Sequence, residues 1–219
     1  MSEERNPASQ RLNTLLAEAG LGPLSTEQSS RFAEYLSLIL RWNARVNLTA
    51  VRDEEGILSR HFLESIACAR ALPAEIATLL DFGSGAGFPG IPIALCRPEV
   101  AVTLAESQGK KAAFLGEAVR VLGLAAKVHS GRAETLAAKF DCVTLRAVDR
   151  MELAVQTAAG LVGPGGWLAL MTTGADAEKL KVAAGGEFSW GLTALLPDAT
   201  GRLLALGSRN GSAAYRSRL

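Results

Sequence analysis

Four glycines interrupt an apolar run at Leu79-Leu80-Asp81-Phe82-Gly83-Ser84-Gly85-Ala86-Gly87-Phe88-Pro89-Gly90, and the run resumes as Ile91-Pro92-Ile93-Ala94-Leu95. Thr78 to Phe82 is short and hydrophobic, the pattern of a strand buried on both faces of a parallel sheet. The glycines allow a tight turn and a close backbone approach to a ligand. A helix entered straight afterwards aims its free N–H groups at the same place. From Thr78 onward strand and helix patterns alternate, which predicts an α/β fold.

Spacing separates the two ligands that compete for such a loop. A dinucleotide fingerprint, G-x-G-x-x-G, needs its third glycine at position 88, where the chain has Phe88. The glycines fall instead at 83, 85, 87 and 90 behind Asp81, the acidic D-x-G-x-G-x-G form typical of S-adenosylmethionine (SAM) methyltransferases. The next strand, Ala101 to Glu106, ends in an acid nineteen residues beyond Gly87, near the roughly 20-residue offset of a ribose-binding carboxylate. The plainer alternative is a loop that serves only as a strand-to-helix turn.

Composition bounds this reading. The 219 residues hold one α/β domain plus a small addition, and 48% hydrophobic with 21% charged residues describes a soluble globular chain. No apolar run approaches the roughly 20 residues of a membrane span, and Met1-Ser2-Glu3-Glu4-Arg5 lacks a signal-peptide core, so a cytoplasmic protein without membrane contact is expected. Cys68, Cys96 and Cys142 are isolated and the chain has two histidines, so neither a disulfide framework nor a metal site is indicated. The cysteines are expected as small buried apolar groups. A net charge of +1 argues against non-specific coating of nucleic acid but leaves room for a local basic face.

Ahead of the sheet, residues 1–70 are expected as a helical element and 71–219 as the α/β domain. Leu12, Leu15, Leu16 and Ala19 mark a first helix stopped at Gly20, and Ser25 with Gln28 makes a capping box for a second. Phe32, Tyr35, Leu36, Ile39, Leu40 and Asn43 share one face of that second helix, which predicts packing along its whole length. A third helix is predicted from near Asp53, carrying His61 at the phase of Leu58 and Phe62, where a histidine is more often a hydrogen-bonded packing residue than a catalyst.

Beyond Glu106, Lys110 to Leu122 reads as a helix with Lys110, Lys111 and Arg120 outside. Strand Lys127 to Ser130 leads into Gly131-Arg132-Ala133-Glu134, and strand Asp141 to Leu145 ends at Arg146. An arginine at the end of a buried strand needs a partner, because an unpaired buried charge is costly. Arg146 is thus the strongest site candidate among the arginines. Pro164-Gly165-Gly166 reads as a turn into strand Trp167 to Met171, and Ser189 to Leu196 with Gly201 to Gly207 as a closing antiparallel pair. From Arg202 to Leu219 there are four arginines and no acids, a small basic arm carrying Tyr215 and Arg216. The chain shows no extended apolar stripe, so a monomer is expected.

Trp42-Asn43 with Asn47-Leu48-Thr49, Arg60-His61-Phe62-Leu63-Glu64-Ser65, the Asp81 to Pro92 loop, Glu106-Ser107 with Lys110-Lys111 and Phe114-Leu115, Gly131-Arg132-Ala133-Glu134 and Arg146-Ala147 together resemble one family. It is the bacterial 16S ribosomal RNA guanine-N7 methyltransferases of the G type, also called the glucose-inhibited division B family. The resemblance implies a Rossmann-like SAM-dependent methyltransferase fold, α/β, with a mostly parallel seven-stranded sheet, helices on both faces and an N-terminal helical extension. It implies SAM held by Asp81, Gly83, Gly85, Gly87, Phe88, Glu106, Ala133, Glu134 and Arg146. The 16S rRNA of the small ribosomal subunit is the implied partner, met by Arg41, Asn43, Arg45, Asn47, His61, Lys110 and Arg216. The chain departs from the family in having Glu106 where aspartate is common, and Leu170-Met171-Thr172-Thr173-Gly174 where a lysine often follows strand five.

Guanine N7 attacks a methyl group with an in-plane lone pair, so this chemistry needs alignment and exclusion of water and no general base; no catalytic acid or base is therefore assigned. Amine methylation would bring an Asn/Asp-Pro-Pro-aromatic motif after strand four, where the chain reads Arg146-Ala147-Val148, and carbon-5 methylation would need a cysteine there. The alternatives are a SAM-dependent protein or small-molecule methyltransferase and a non-catalytic SAM- or RNA-binding module.

Overall fold

The structure, a computed structural model, describes residues 6–197 and 201–210. Helix α1 (Pro7–Glu18) begins on an Asn6 cap with proline in its first turn, and α2 (Thr26–Asn43) opens with the Ser25/Gln28 capping box closed in both directions. Asp53 caps a short α3 (Glu54–Gly56) through the Gly56 N–H. The chain then runs without a break through a π-helical stretch, Ile57–Phe62, into α4 (Leu63–Ala71). The expected third helix is therefore present with a widened middle, and Arg60 and His61 sit in it. Such π segments recur at functional sites.

Strand β1 (Thr78–Phe82) follows, then α5 (Gly90–Cys96), β2 (Ala101–Glu106), α6 (Gly109–Val121), β3 (Lys127–Ser130) and β4 (Phe140–Arg146). The chain continues as α7 (Met151–Leu161), β5 (Val162–Thr173), α8 (Gly174–Ala184), β6 (Phe188–Leu195) and β7 (Arg202–Arg209). The seven strands form one sheet in the order β3-β2-β1-β4-β5-β7-β6. The first five are parallel, and β7 runs antiparallel to both β5 and β6. The expected fold class and closing antiparallel pair are observed.

Pro164-Gly165-Gly166 differs from expectation. It lies inside β5 rather than before it, as an irregular insert between Val162, opposite Phe140, and Trp167, opposite Cys142. Gly165 takes a left-handed φ of 72° there, so the strand absorbs the turn without ending.

Strand alternation divides the core between the two faces of the sheet. Leu79 and Cys142 pack on one side with α1, α2, α4, α5 and α6, while Leu80, Val143 and Leu145 pack on the other with α7 and α8. The N-terminal helices thus share a single core with one face of the sheet. Cys68 and Cys142 are fully buried and Cys96 is half-buried, and burial pushes the Cys96 thiol up to about 11. Among the described residues no helix is long and apolar enough to cross a membrane.

Candidate cofactor and RNA site

Sequence order in the sheet reverses between β1 and β4, which is where ligands of open α/β sheets bind, outside the carboxyl ends of the strands. Phe82 pairs with Leu145, so the glycine loop leaving β1 and Arg146 ending β4 lie side by side.

The loop is set by backbone geometry. Gly83, Gly85 and Gly87 have φ of 71°, 57° and 92°, which side-chain-bearing residues rarely adopt. Gly90 is required for a different reason: a Cβ there would lie 2.3 Å from Leu104 Cδ2 and 2.6 Å from Asp81 Oδ2.

Asp81 lies under this loop, 1% exposed. It accepts hydrogen bonds from the Gly90 N–H at 3.1 Å and the Thr144 hydroxyl at 2.9 Å. Burial pushes its carboxyl up to about 6, and the bonds from Thr144, Ser84 and Gly90 hold it from rising further. Its observed contacts shape the loop. Tyr35 of α2 ties the other side, donating its buried hydroxyl to the Ala86 carbonyl.

Glu106 ends β2 with its carboxylate toward the loop, accepting from Gly85 N–H at 2.9 Å and Gln108 N–H at 2.7 Å. A carboxylate has about four acceptor positions, so two remain for ribose hydroxyls. Glu106 pairs with Ser130 across β2 and β3, and the chain leaving β3 makes the single turn Ala133–Thr135 beyond the same sheet edge. Ala133 is buried and Glu134 is exposed near Arg132.

Phe88, 7% exposed, closes the loop against four neighbours: Tyr35, Phe62, the His61 ring at 4.6 Å and the Arg146 guanidinium at 5.8 Å. Arg146 Nη2 donates to Glu64 Oε2 at 2.6 Å and to the Arg60 carbonyl at 3.1 Å. Glu64 also accepts from Arg202 Nη1, at 3.1 Å. Burial pulls the Arg146 guanidinium below its usual range and the Glu64 charge opposes that, leaving it a cation. Arg146 Nη1 is buried with no partner among the described residues. A buried guanidinium donor left open beside a left-handed glycine loop fits an outside carboxylate such as that of SAM, and the residues present therefore fit this cofactor.

On the RNA side the expected residues separate. Arg45 and Lys110 are exposed, and Asn47 is exposed and accepts from Arg52 Nη2 at 2.8 Å. Arg41 is exposed but paired with Glu117 at 2.6 Å, beside the Trp42 indole that bonds the same carboxylate. Asn43 is 5% exposed and its amide is engaged three times within the turn, with Leu48 N–H, Thr49 N–H and the Val51 carbonyl. That burial assigns Asn43 to building the turn rather than to a surface contact. His61 is half-buried, with Nε2 bonded to Thr49 Oγ1 at 2.7 Å. Burial, then the charges of Arg146, Arg60 and Arg202, push its pKa down to about 2, so the ring is neutral. Arg216 and the basic arm lie outside the described residues.

Glu64, Arg202, Tyr35 and Thr144 were not singled out from the sequence as site residues. Glu64 carried only a partial signal, an acid between Leu63 and Ile66, which does not name its partners.

These features define a class: an α/β domain of the SAM-dependent methyltransferase fold, with its candidate cofactor site at the β1/β4 switch point. The apo SAM-dependent methyltransferase SibL superposes with a TM-score of 0.60 at 17% identity, covering 90% of this chain and 77% of that one, a likeness of fold. The chain belongs to the GidB family, rRNA small subunit methyltransferase G, whose model matches residues 28–187. Ribosomal RNA small subunit methyltransferase G of Stenotrophomonas maltophilia (strain K279a) is 42% identical over 174 residues, 78% of this chain and 81% of the relative. Its counterpart in Roseiflexus sp. (strain RS-1) is 48% identical over 132 residues, 57% of this chain and 56% of that relative.

Proposed function

We propose that the protein methylates N7 of one guanine in the 16S rRNA of the small ribosomal subunit, using SAM. The observation that carries this reading is the convergence of the Gly83–Gly87 loop, the Glu106 carboxylate and the unpartnered Arg146 Nη1 in a chain of this family. SAM supplies the methyl group when bound. Glu106 accepts ribose hydroxyls, Gly83, Gly85 and Phe88 line the donor, Ala133 and Glu134 border the adenine, and Arg146 Nη1 takes the carboxylate. Holding the donor this way fixes the line of attack, and alignment alone lowers a barrier by about 7–11 kcal/mol. The N7 lone pair needs no proton removed. The ring gains positive charge as it is methylated, which keeps Arg146 on the donor side.

Arg45, Asn47 and Lys110 face the RNA, residues 1–70 form the helical element that docks it, and residues 71–219 form the methyltransferase domain. The protein acts in the cytoplasm as a monomer. The test is methyl transfer from labelled SAM to small subunits from cells lacking the modification, with borohydride and aniline cleavage to map the base. Scission at one guanine supports the reading, and incorporation without scission overturns N7.

A further inference from the structure

An open cleft of about 540 Å³ lies between the turn after α2 and the start of α6, lined by Asn47, Leu48, Thr49, Ala50, Arg52 and Lys111. Two of the six lining residues are cations. Neither Arg52 nor Lys111 makes an ion pair among the described residues; Arg52 is held only by the neutral Asn47 amide. Of the acids nearby, Glu55 pairs with Arg11 at 2.6 Å, Asp53 caps α3 and Glu117 is shared by Arg41 and Trp42, while Glu54 is exposed in the first turn of α3. Arg45 and Lys110 add exposed positive charge at the adjoining positions of the same two segments.

Both walls of the cleft are tied to the cofactor loop by short chains of contacts. On one wall Thr49 bonds His61, and the His61 ring stacks on Phe88 of the loop. On the other, the segment entering α6 is held by the Gln108 N–H on Glu106, whose second oxygen holds Gly85 of the loop. Asn43 fixes the turn that presents Asn47 to Ala50. The cleft is thus a recess carrying two cations, with both walls tied to the glycine loop. Paired cations beside a small neutral donor suit a phosphodiester, since ammonium and guanidinium groups both take phosphate oxygens.

We infer that this cleft seats a backbone phosphate of the substrate RNA next to the methylated nucleotide, with Arg52 and Lys111 as its cationic contacts and Asn47 orienting Arg52. The inference rests on the proposed rRNA activity. Seating a phosphate there places the RNA strand relative to Phe88 and Glu106, so the cleft acts on substrate register and leaves cofactor binding alone.

The test is Arg52→Gln and Lys111→Gln, singly and together, with small subunits lacking the modification as the probe. Binding is measured at a series of salt concentrations, alongside S-adenosylhomocysteine affinity and thermal stability. Each substitution is expected to weaken subunit binding about tenfold at low salt and to make the log–log salt slope shallower by about one. KM for subunits rises while kcat at saturation and S-adenosylhomocysteine affinity stay within twofold of wild type. Unchanged subunit affinity and salt slope, with an active wild type, overturn the cleft as the phosphate seat. An equal loss of S-adenosylhomocysteine affinity also overturns it, because the residues would then serve the cofactor loop. A wild type that binds S-adenosylhomocysteine yet methylates no subunit overturns the parent reading and the cleft with it.

Discussion

Arg146 Nη2 stands 2.6 Å from Glu64 Oε2, with the two side chains 7% and 0% exposed and 82 residues apart in the chain. Arg202 reaches the same carboxylate from β7 at 3.1 Å. One anion therefore joins α4, β4 and β7 and holds two cations out of water. Removing it leaves both without a counter-charge among the described residues. Glu64→Ala is expected to cost about 3–5 kcal/mol, the range for breaking a buried pair from one side. Urea unfolding checks this: the midpoint should fall with an unchanged slope. Glu64→Gln, which keeps one acceptor oxygen, should cost less. A loss below about 1 kcal/mol for the alanine variant would show that water compensates the arginines.

The glycines divide into those the fold needs and those it tolerates. At Gly87 a Cβ would lie 2.5 Å from Ile91 Cδ1 and 2.7 Å from the Tyr35 hydroxyl, on a backbone already at φ 92°. Gly116, in the exposed face of α6, meets nothing within 4 Å. Gly87→Ala is expected to destabilise by about 1–3 kcal/mol through strain and displaced packing, and to weaken SAM binding. Gly116→Ala should stabilise by about 0.5–1 kcal/mol, the helix-interior preference of alanine over glycine. Thermal melts of the two variants should move in opposite directions.

Acid should act on stability through His61. In the folded protein its pKa is about 2, against 6.5 for the ordinary group, so below pH 6.5 the unfolded chain binds the proton first. Its contribution is complete above pH 6.5 and is lost as pH falls, by about 2 kcal/mol at pH 5. Asp81 works the other way. Its folded pKa of about 6 lies above the ordinary 3.8, so its contribution is present at low pH and is lost as pH rises through 6. The two oppose each other between pH 6 and 3.8, and a difference isolates one of them. Between pH 7 and 5 the wild type should lose about 2 kcal/mol more than His61→Asn, measured by urea unfolding at each pH. Parallel pH profiles would mean that the imidazole takes its proton in the folded state.

The parts of the site that rest on local backbone demands were legible in the sequence. Gly83, Gly85 and Gly87 announce left-handed turns, and Glu106 stands at the end of a strand whose length and polarity are visible one residue at a time. The Glu64 junction was not legible, because its partners lie 82 and 138 residues away and the π-helical stretch before it shifts the helical phase by which an inward acid is recognised. Helices α7 and α8 were equally obscure. Their alanine-rich inward faces, with Ala154, Ala158, Ala159, Ala177 and Ala184 buried, lack the large-residue stripe that marked α2. Asn43 shows a further limit: helical phase put it on the packing face of α2 while the family resemblance put it at the RNA, and only the folded turn reveals that Leu48, Thr49 and Val51 consume its amide.

Arg41 separates a cation that meets RNA from one that silences an acid. It is 61% exposed and paired with Glu117 at 2.6 Å, so Arg41→Ala should cost less than about 1 kcal/mol of stability. It should still weaken subunit binding, because the Glu117 carboxylate left behind repels phosphate. Glu117→Gln in the Arg41→Ala background removes that charge and keeps an acceptor for the Trp42 indole, and should restore the affinity. Arg45 is exposed with no ion pair among the described residues, so the loss caused by Arg45→Ala should not be recovered by Glu117→Gln beyond the single charge it removes. Filter binding of small subunits across a salt series reads both outcomes. If Glu117→Gln fails to rescue Arg41→Ala, the Arg41 guanidinium leaves Glu117 and contacts RNA directly in the complex.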